Sequence, residues 1–376
     1  MKTNVNIINR QRIIDFINLC IWNLYSRPKG VAKYLLKRPK SRNQSTYYPN
    51  LPRKSNFRIW LDQLIQCYKY GCPNDFYFPY GFDVKNSNEM NEYLHYLPFM
   101  KLRDARNVSA HSATVILRDK LYFGFFTQAL GVDSGKNLGI TKSEKTFDCI
   151  EKKYYNTASF LQKLNGQYIF KPIEGECGGG IFIINFINNK YILDGKSIEL
   201  QFLIQMISND SYLIQEVVSQ HPLMAQLHHQ SLNTIRLITV RNIHTGEISV
   251  FPSILRIGTG RSVVDNTSQG GIAVAIDLTT GKLGEYGFYK PEYGTKVTIH
   301  PDTNIKFSEF TIPFFKEAKD QALLLHHMLP SVNSIGWDIA IGERGPIFIE
   351  GNDNWEINGP QICNGGLKKM LSKYLQ

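Results

Sequence analysis

Three oxygen-bearing side chains lie within one short, otherwise apolar stretch near the carboxyl end of the chain. Residues 335–354 read IGWDIAIGERGPIFIEGNDN, in which Asp338 interrupts one apolar run and Glu350 and Asn352 end the next. The glycine-flanked turn predicts an antiparallel hairpin with Asp338 opposite Glu350 and Asn352 on the same face. Opposed carboxylates repel each other, and a bound Mg²⁺ ion, which prefers oxygen ligands, would reverse this. The alternative is a strand end whose acids point into solvent.

A second candidate site is the glycine-rich segment FKPIEGECGGGIFI, residues 170–183. Its consecutive glycines Gly178, Gly179 and Gly180 let backbone N–H groups approach phosphate oxygens, and Lys171 precedes them on a predicted strand. A strand follows the loop, and no Lys-Ser/Thr pair does, which excludes Walker A and dinucleotide-binding fingerprints. The pattern indicates a hairpin that covers nucleotide phosphates. The alternative is a tight hairpin that needs glycine only for its geometry.

Two arginines lie inside apolar strands, Arg236 in NTIRLITV and Arg256 in SILRIG. A buried arginine needs an anionic partner, and phosphate matches its planar set of donors. A structural salt bridge to Asp or Glu is the alternative for either arginine. Near them, DNTSQGG at residues 265–271 is predicted to be a mobile loop that closes over a substrate.

The strand LIQEVVSQHP, residues 213–222, turns polar at its end. Such a strand offers backbone groups at Gln215 and Val217 to the edge of an adenine. Polar groups of Gln220 or His221 would then reach a ribose. Taken alone, this signal is weak.

The elements that must position these side chains alternate between strands and helices. Residues 113–119, ATVILRD, are predicted to form a strand. The next segment is predicted to be a helix that is capped by Asp119 and ends at Gly131. Further helices are predicted over 10–38, 57–70, 157–164 and 312–329, and strands over most of 167–278.

Composition indicates a soluble globular protein, because 43% of the 376 residues are hydrophobic and 20% are charged. The six cysteines form no CxxC pair and no zinc-site spacing, which indicates reduced thiols in the cytoplasm. The first apolar run is followed by no small-residue cleavage site and is too short to span a bilayer.

The positive charge is concentrated at the amino end. Residues 1–60 hold 13 of the 43 Lys and Arg residues, but only Asp15 among the 32 acidic residues. The remaining chain holds 30 basic and 31 acidic residues and is therefore neutral. A nucleic-acid enzyme spreads basic residues over its working surface, so we expect no nucleic-acid partner.

Within this basic leader, the run from Ile13 to Tyr25 has the pattern of a helix with a wide apolar face. A basic cluster follows it directly: Lys29, Lys33, Lys37, Arg38, Lys40 and Arg42. An apolar face beside cations predicts peripheral contact of residues 1–55 with an anionic membrane. The alternative is a helix that packs on the body and leaves its charges solvated.

The order of these motifs resembles that of the ATP-grasp superfamily. The similarity is greatest to the sugar-transfer-associated ATP-grasp proteins of bacterial surface-polysaccharide synthesis. It is carried by QEVVSQHPLMAQLHHQSLNTIRLIT, VVDNTSQGGIAV and GWDIAIGERGPIFIEGN, and it covers roughly residues 95–370. The basic leader lies outside the resemblance.

The resemblance implies a role for each candidate residue. Lys171 and Lys120 would contact the phosphates of ATP beneath the glycine-rich flap, and Gln215, Glu216 and Val217 would form the adenine hinge. Asp338, Glu350 and Asn352 would hold one or two Mg²⁺ ions. Arg236 and Arg256 would stabilise a transferring phosphoryl group or an acyl phosphate. Asn266, Gly270 and Gly271 would face the acceptor.

The resulting prediction is an α/β protein with an ATP-grasp fold, which holds nucleotide between two lobes behind a basic helical leader. The predicted segments are a leader at 1–60, an α/β region at 61–150, a small lobe at 151–220 and a large lobe at 221–376. The predicted activity is carboxylate–amine ligation through an acyl phosphate, on a small-molecule or glycan-precursor substrate. The alternatives are a kinase that acts on a hydroxyl and a nucleotide-binding regulatory protein. We expect a cytoplasmic location, with peripheral contact at the inner face of the membrane.

Overall fold

The computed structural model describes residues 21–36, 46–107, 111–173, 179–187 and 190–375. The amino-terminal part is helical, with a π-helical turn at Trp22–Ser26 followed by four α-helices. These are α1 (Arg27–Leu36), α2 (Asn56–Tyr70), α3 (Ser87–Asn91) and α4 (Tyr96–Asn107). The predicted helix at 57–70 is confirmed, and the one at 10–38 is confirmed from residue 21 to residue 36. The rest of the latter lies outside the described residues. Among the described helices, none has both the length and the apolar character needed to cross a bilayer.

The segment between α1 and α2 is part of the folded body from residue 46 onward. Tyr47 is buried in an aromatic cluster with Phe288. Its hydroxyl donates to the carbonyl of Tyr289 at 2.8 Å. The residues just after the basic cluster therefore contact the carboxyl-terminal half of the chain.

The next two helices are α5 (His111–Arg118) and α6 (Lys120–Ala129). The prediction of a strand at 113–119 was wrong. A short apolar run with β-branched residues suits either structure, and here it forms a helix whose Leu117 packs into the main core. The capping prediction is confirmed, because the side chain of Asp119 accepts hydrogen bonds from the N–H groups of Leu121 and Tyr122.

The first sheet is antiparallel, has eight strands and spans residues 137–216, so it begins before the predicted start of the small lobe at residue 151. Its elements are β1 (Asn137–Lys142), β2 (Lys145–Asp148), β3 (Lys153–Asn156), α7 (Thr157–Gln162), β4 (Gly166–Pro172), β5 (Phe182–Ile187), β6 (Lys190–Leu193), β7 (Lys196–Ile198), α8 (Leu200–Ile207) and β8 (Tyr212–Glu216). The strand order is β3-β2-β1-β8-β4-β5-β6-β7. Phe160 of α7 and Leu203 of α8 pack with Phe170 and Ile214 of the sheet.

The second sheet has seven strands in the order β13-β12-β11-β10-β9-β14-β15. Its elements are α9 (Pro222–Leu227), β9 (Thr234–Arg241), β10 (Ile248–Ile257), β11 (Ile272–Ile276), β12 (Leu283–Phe288), β13 (Lys296–Val297), α10 (Phe315–His327), β14 (Ser334–Gly342), β15 (Gly345–Asn352), α11 (Asn358–Asn364) and α12 (Lys368–Leu375). Alternate residues of its strands face α10, whose Ala322 and Leu325 pack on Ile235 and Ile339. The opposite face of this sheet carries a different set of side chains.

The hairpin β14–β15 confirms the predicted pairing of Asp338 with Glu350. Its two-residue turn, Glu343–Arg344, would by itself place Asp338 opposite Ile349. A bulge between the pairs Ile339–Phe348 and Asp338–Glu350 shifts the register by one residue. The bulge thus puts the two carboxylates on one face.

Candidate active site

A row of charged side chains crosses the second sheet on the face away from α10. Arg236 of β9 lies opposite Asp338 of β14, and Asp338 lies opposite Glu350 of β15. Directly opposed residues project from the same face of a sheet, and so does Asn352, two residues beyond Glu350. The prediction that the metal-site residues share one face is confirmed, and the row includes an arginine.

Asp338 is the centre of this row. Arg236 donates to both of its carboxylate oxygens, at 2.5 Å from Nε to Oδ1 and 3.0 Å from Nη2 to Oδ2. Arg256 reaches Oδ2 at 3.0 Å. Burial raises the pKa of Asp338, but the two arginines outweigh this and lower it well below the usual range. Asp338 is therefore ionised and shared between two cations.

Arg256 has a second set of partners on the same face. Its Nε and Nη2 donate to the hydroxyl of Thr234 at 3.1 and 2.6 Å, and its Nε lies 3.6 Å from Oδ2 of Asp265. That carboxylate also accepts hydrogen bonds from the N–H and the hydroxyl of Thr234. Burial raises the pKa of Asp265 above its ordinary value, and Arg256 and Thr234 offset only part of this rise.

Both strand arginines thus form structural ion pairs, the alternative left open by the sequence. Their predicted contact with a transferring group stays a prediction. In the contacts of the described residues, each arginine uses Nε and Nη2 toward its protein partners. A guanidinium has a third nitrogen, Nη1, with two further N–H groups, so a pairing of this kind is compatible with binding an additional anion.

Glu350 and Asn352 supply oxygen atoms beside Asp338. The amide Nδ2 of Asn352 donates to Oε1 of Glu350 at 3.1 Å and lies 3.5 Å from Oδ2 of Asp338. Burial and the neighbouring charge of Asp338 raise the pKa of Glu350. A carboxylate with a raised pKa gains from a nearby cation, which favours its ionised form.

The oxygen atoms of these three residues are not equally suited to bind Mg²⁺. Glu350 and the amide oxygen of Asn352 are hard oxygen ligands of the type that Mg²⁺ uses, and two or three protein ligands leave room for phosphate and water. Oδ2 of Asp338 accepts from both Arg236 and Arg256, whereas Oδ1 accepts from Arg236 alone, so Oδ1 has more capacity left for a metal ion. Among the described residues, no group of three or more His, Cys, Asp or Glu side chains could hold a metal ion. The predicted set contains only two such side chains and one amide, so its binding of Mg²⁺ stays a prediction.

The first sheet brings a cation to this face. Lys171 lies on β4, and desolvation lowers its pKa to about 8. Glu350 raises that pKa and Lys120 lowers it, so the two lysines and the carboxylate lie within reach of one another's charge. Lys120 is the first residue of α6, directly after the cap Asp119. Lys171 is therefore near enough to the other predicted phosphate lysine and to a predicted metal ligand to feel their charges, although the three residues come from different elements.

The predicted hinge lies at the end of β8, where the chain leaves the first sheet. Gln215 is buried, and its Nε2 donates to Oδ1 of Asn137 at 2.6 Å. Glu216 is exposed and pairs with Lys136 at 2.9 Å. The N–H of Val217 donates to the carbonyl of Gln167 at 3.4 Å. Contact of these residues with adenine stays a prediction.

Gln220 and His221 have structural roles in the described contacts. The side-chain nitrogen of Gln220 donates to the carbonyls of His228 and Ser231 at 3.1 and 3.2 Å, and its oxygen accepts from the N–H of Asn233 at 2.7 Å. His221 caps α9, since its Nδ1 accepts from the N–H of Leu223 at 3.1 Å. Their predicted contact with a ribose would use other atoms or require these bonds to change.

The predicted acceptor loop is held in place by hydrogen bonds. Asn266 caps a short 3-10 turn, Thr267–Gln269, by accepting from the N–H of Ser268 at 3.0 Å. The carbonyl of Gly270, which has a φ of +93°, accepts from the hydroxyl of Thr259 at 2.8 Å. A Cβ at Gly271 would lie 2.4 Å from the carbonyl oxygen of Asp265, so a side chain is excluded there. In the flap, Gly179 and Gly180 lie in the turn before β5, and Gly178 lies outside the described residues.

Thr234 and Asp265 were not predicted as site residues. Asp265 belongs to the DNTSQGG segment, and its contact with Arg256 depends on how that loop folds back against β10. Thr234 lies two residues before Arg236 and directly opposite Arg256. Pairing the two arginine-bearing strands as a hairpin would have brought Thr234 to the site, because residues two apart share a face.

The sequence pattern of the family described as sugar-transfer associated ATP-grasp matches residues 102–374, which is most of the chain. The protein belongs to this family. The ATP-grasp assignment and the predicted fold, two lobes of mixed α/β structure with helices at the amino end, are confirmed. The amino-terminal helices before residue 102 lie outside the match. No curated protein matches the chain in sequence.

Solved structures similar to this ATP-grasp chain are remote in sequence. D-alanine-D-alanine ligase from Helicobacter pylori is 12% identical with a TM-score of 0.40, covering 70% of this chain and 59% of that one. N5-carboxyaminoimidazole ribonucleotide synthetase from Thermotoga maritima is 13% identical with a TM-score of 0.35, covering 63% and 42%. The ADP-complexed synthetase from Staphylococcus aureus is 12% identical with a TM-score of 0.34, covering 63% and 44%. The chain thus spans about half the length of these proteins.

Proposed function

We propose that the protein is an ATP-dependent carboxylate–amine ligase that acts through an acyl phosphate. One arrangement carries the proposal: Asp338 and Glu350 lie opposite each other beside the arginines on one face of the second sheet, and Lys171 of the first sheet is near enough to feel the charge of Glu350. A cation suited to phosphate and an oxygen ligand suited to Mg²⁺ therefore come together from two separate sheets. The family description, sugar-transfer associated, supports a surface-polysaccharide precursor, or an amino acid joined to one, as a substrate.

Each part of the site would have a separate task. Lys171 and Lys120 would bind the phosphate chain of ATP, with the glycine-rich hairpin above it and Gln215, Glu216 and Val217 beside the adenine. Asn266 and the Gly270–Gly271 step would border the acceptor. Because the chemistry of phosphoryl transfer depends mainly on positioning and charge, no protein nucleophile is required.

The acidic residues and the arginines would act on the transferring group. Glu350, Asn352 and Oδ1 of Asp338 would hold one or two Mg²⁺ ions, which neutralise charge on the β- and γ-phosphates when bound. Nη1 of Arg236 and of Arg256 would donate to the phosphoryl oxygens. Asp338 would keep both guanidinium groups oriented toward that group, so that they need not reorganise during the reaction.

The proposed reaction has two steps. A carboxylate oxygen of the first substrate attacks the γ-phosphorus, the bond to the β-phosphate oxygen breaks, and ADP leaves. The amine of the second substrate then attacks the acyl carbon and loses a proton, and inorganic phosphate leaves with one oxygen of the original carboxylate. The products are an amide, ADP and phosphate.

The fate of the carboxylate oxygen tests this proposal. Purified full-length protein is incubated with ATP, Mg²⁺ and combinations of uronic acids, amino acids and sugars, and ADP release and product masses are measured. With ¹⁸O in the carboxylate of the active substrate, label is expected in the released phosphate. Label that stays in the substrate together with a stable phosphate ester would show a kinase. ATP binding without ADP release for any combination would favour a regulatory role.

A further inference from the structure

The helices at the amino end carry an apolar stripe that is exposed to solvent. The stripe consists of Ile21, Leu24, Tyr25, Leu35 and Leu36. Leu24 and Leu36 are 80% and 84% exposed, and Pro28 and Ala32 lie exposed between them. Within α1, Pro28, Ala32, Leu35 and Leu36 recur every one, three or four residues and follow one side of the helix. Ile21, Leu24 and Tyr25 lie at the π-helical turn just before α1 and extend the exposed apolar surface.

The stripe is not the face by which α1 packs on the protein. Gly30 and Tyr34 are buried, and a Cβ at Gly30 would lie 2.4 Å from the backbone of Gly71. The hydroxyl of Tyr34 donates to Oε1 of Gln63 on α2 at 2.8 Å. The helix therefore packs on the body, as one sequence interpretation predicted, and still has a second, apolar face toward solvent. A contiguous exposed apolar surface of this kind marks an interaction site.

Cations lie beside the stripe. Lys29 and Lys33 are exposed on α1, and Lys29 reaches the hydroxyl of Tyr25 at 3.1 Å. The guanidinium of Arg27 lies over the ring of Tyr68, which is an exposed aromatic residue of α2. The first 60 residues hold 13 basic residues and a single acidic one, Asp15. A second copy of this chain would carry the same charge and be repelled, whereas a partner that is both apolar and anionic complements the stripe and its cations.

We propose that this face binds the surface of an anionic lipid bilayer. The exposed leucines, Ile21 and Tyr25 would enter the boundary between headgroups and acyl chains, while Lys29 and Lys33 would contact anionic headgroups. A helix that is fixed along the body, with its stripe exposed along its length, suits a flat partner better than a concave one. The proposal does not depend on the catalytic activity, because the face lies outside the ATP-grasp match.

Co-sedimentation of the full-length protein with vesicles tests the proposal. Vesicles of phosphatidylcholine with phosphatidylglycerol are compared with phosphatidylcholine alone, at low and at high salt. The protein is expected to sediment with the anionic vesicles at low salt and to be released as salt screens the charges. Failure to sediment with anionic vesicles, or equal sedimentation with both kinds, would overturn the proposal.

Matched variants separate the stripe from general electrostatic attraction. Leu24→Ser with Leu36→Ser is expected to lower the bound fraction about tenfold, and so is Lys29→Glu with Lys33→Glu. The controls are Leu324→Ser with Met328→Ser, which changes exposed apolar residues on α10 and at its end, and Lys368→Glu with Lys369→Glu on α12. Each control is expected to bind like the wild type. Equal losses in a variant and its control would show that the site is not this face.

All variants are checked for folding by thermal unfolding and for nucleotide binding. Because the substituted side chains are exposed, melting temperatures are expected to stay close to that of the wild type. If the stripe variant melts like the wild type and still binds anionic vesicles fully, the apolar face has no part in binding and the proposal fails.

Discussion

Arg236 and Asp338 lie directly opposite each other on β9 and β14, and the arginine donates to both oxygens of the carboxylate. Arg256 adds a third contact to the same carboxylate. The pair lies at the centre of the candidate active site and is mostly buried, with 17% of the arginine side chain and 5% of the aspartate side chain exposed. The same carboxylate thus orients two arginines and borders the predicted metal site.

Asp338→Asn is expected to destabilise the protein strongly. The change leaves two guanidinium groups without their shared anion, and breaking a buried pair from one side costs about 3–5 kcal/mol. Urea unfolding followed by circular dichroism measures the loss. Asp320→Asn is the control, because its pair with Lys316 is exposed, and a change within about 0.5 kcal/mol is expected there. A small effect of Asp338→Asn would mean that the arginines do not depend on this carboxylate.

Glu350→Gln is expected to leave the fold intact and to remove nearly all ATP-dependent turnover. The side chain of Glu350 hydrogen-bonds with the Asn352 amide and with Asp338, and glutamine can replace it in both contacts, whereas Mg²⁺ requires the charge. ADP release over a range of Mg²⁺ concentrations measures the effect. The control Glu343→Gln changes an exposed acid in the turn of the same hairpin and should keep full activity. Normal turnover of the Glu350→Gln variant, or wild-type turnover after exhaustive chelation, would contradict the metal assignment.

The pKa of Glu350 adds a pH dependence to that test. Burial and Asp338 raise this pKa, so protons compete with Mg²⁺ more strongly here than at an ordinary glutamate. The Mg²⁺ concentration needed for half-maximal turnover is therefore expected to rise as pH falls toward the raised pKa. A requirement that does not change with pH would indicate that Glu350 is not a ligand.

The hairpin shows how far the sequence could predict the site. The residue types and the turn placed Asp338 opposite Glu350, although the real turn alone would have paired Asp338 with Ile349. The predicted pairing is correct because of a bulge, and no residue type in the segment indicates that bulge. Local pattern thus predicted which side chains meet, whereas the backbone geometry that brings them together depends on packing against β9 and α10.

Two further residues mark the limit of the sequence prediction. The segment before Asp119 has the composition of a strand, yet it forms a helix because Leu117 enters the core beneath β15. Residue propensities do not include tertiary contacts of this kind. Asp265 was missed because its partners Thr234 and Arg256 are on two other elements. To predict such contacts, one must know the relative positions of three segments at once.

Thr234 is expected to be a positioning residue for Arg256. Its hydroxyl donates to Asp265 and accepts from both Nε and Nη2 of Arg256. Thr234→Val removes this hydroxyl at nearly constant volume and should lower kcat about tenfold or more while changing the KM for ATP little. Thr234→Ser keeps the hydroxyl and should restore kcat. If both variants behave alike, or if only stability changes, the hydroxyl does not position the arginine.

Lys171 is expected to make nucleotide binding depend on pH. Its pKa is lowered to about 8 in the free protein, and contact with phosphate would raise it, so binding takes up a proton when the pH lies between the two values. Affinity for ATP should therefore fall as pH rises through about 8. Isothermal titration calorimetry in buffers with different ionisation enthalpies measures both the affinity and the proton uptake. Lys171→Arg stays charged throughout this range and should bind without the pH dependence. Equal pH dependence in the wild type and this variant would show that another group titrates and that Lys171 does not contact the phosphates.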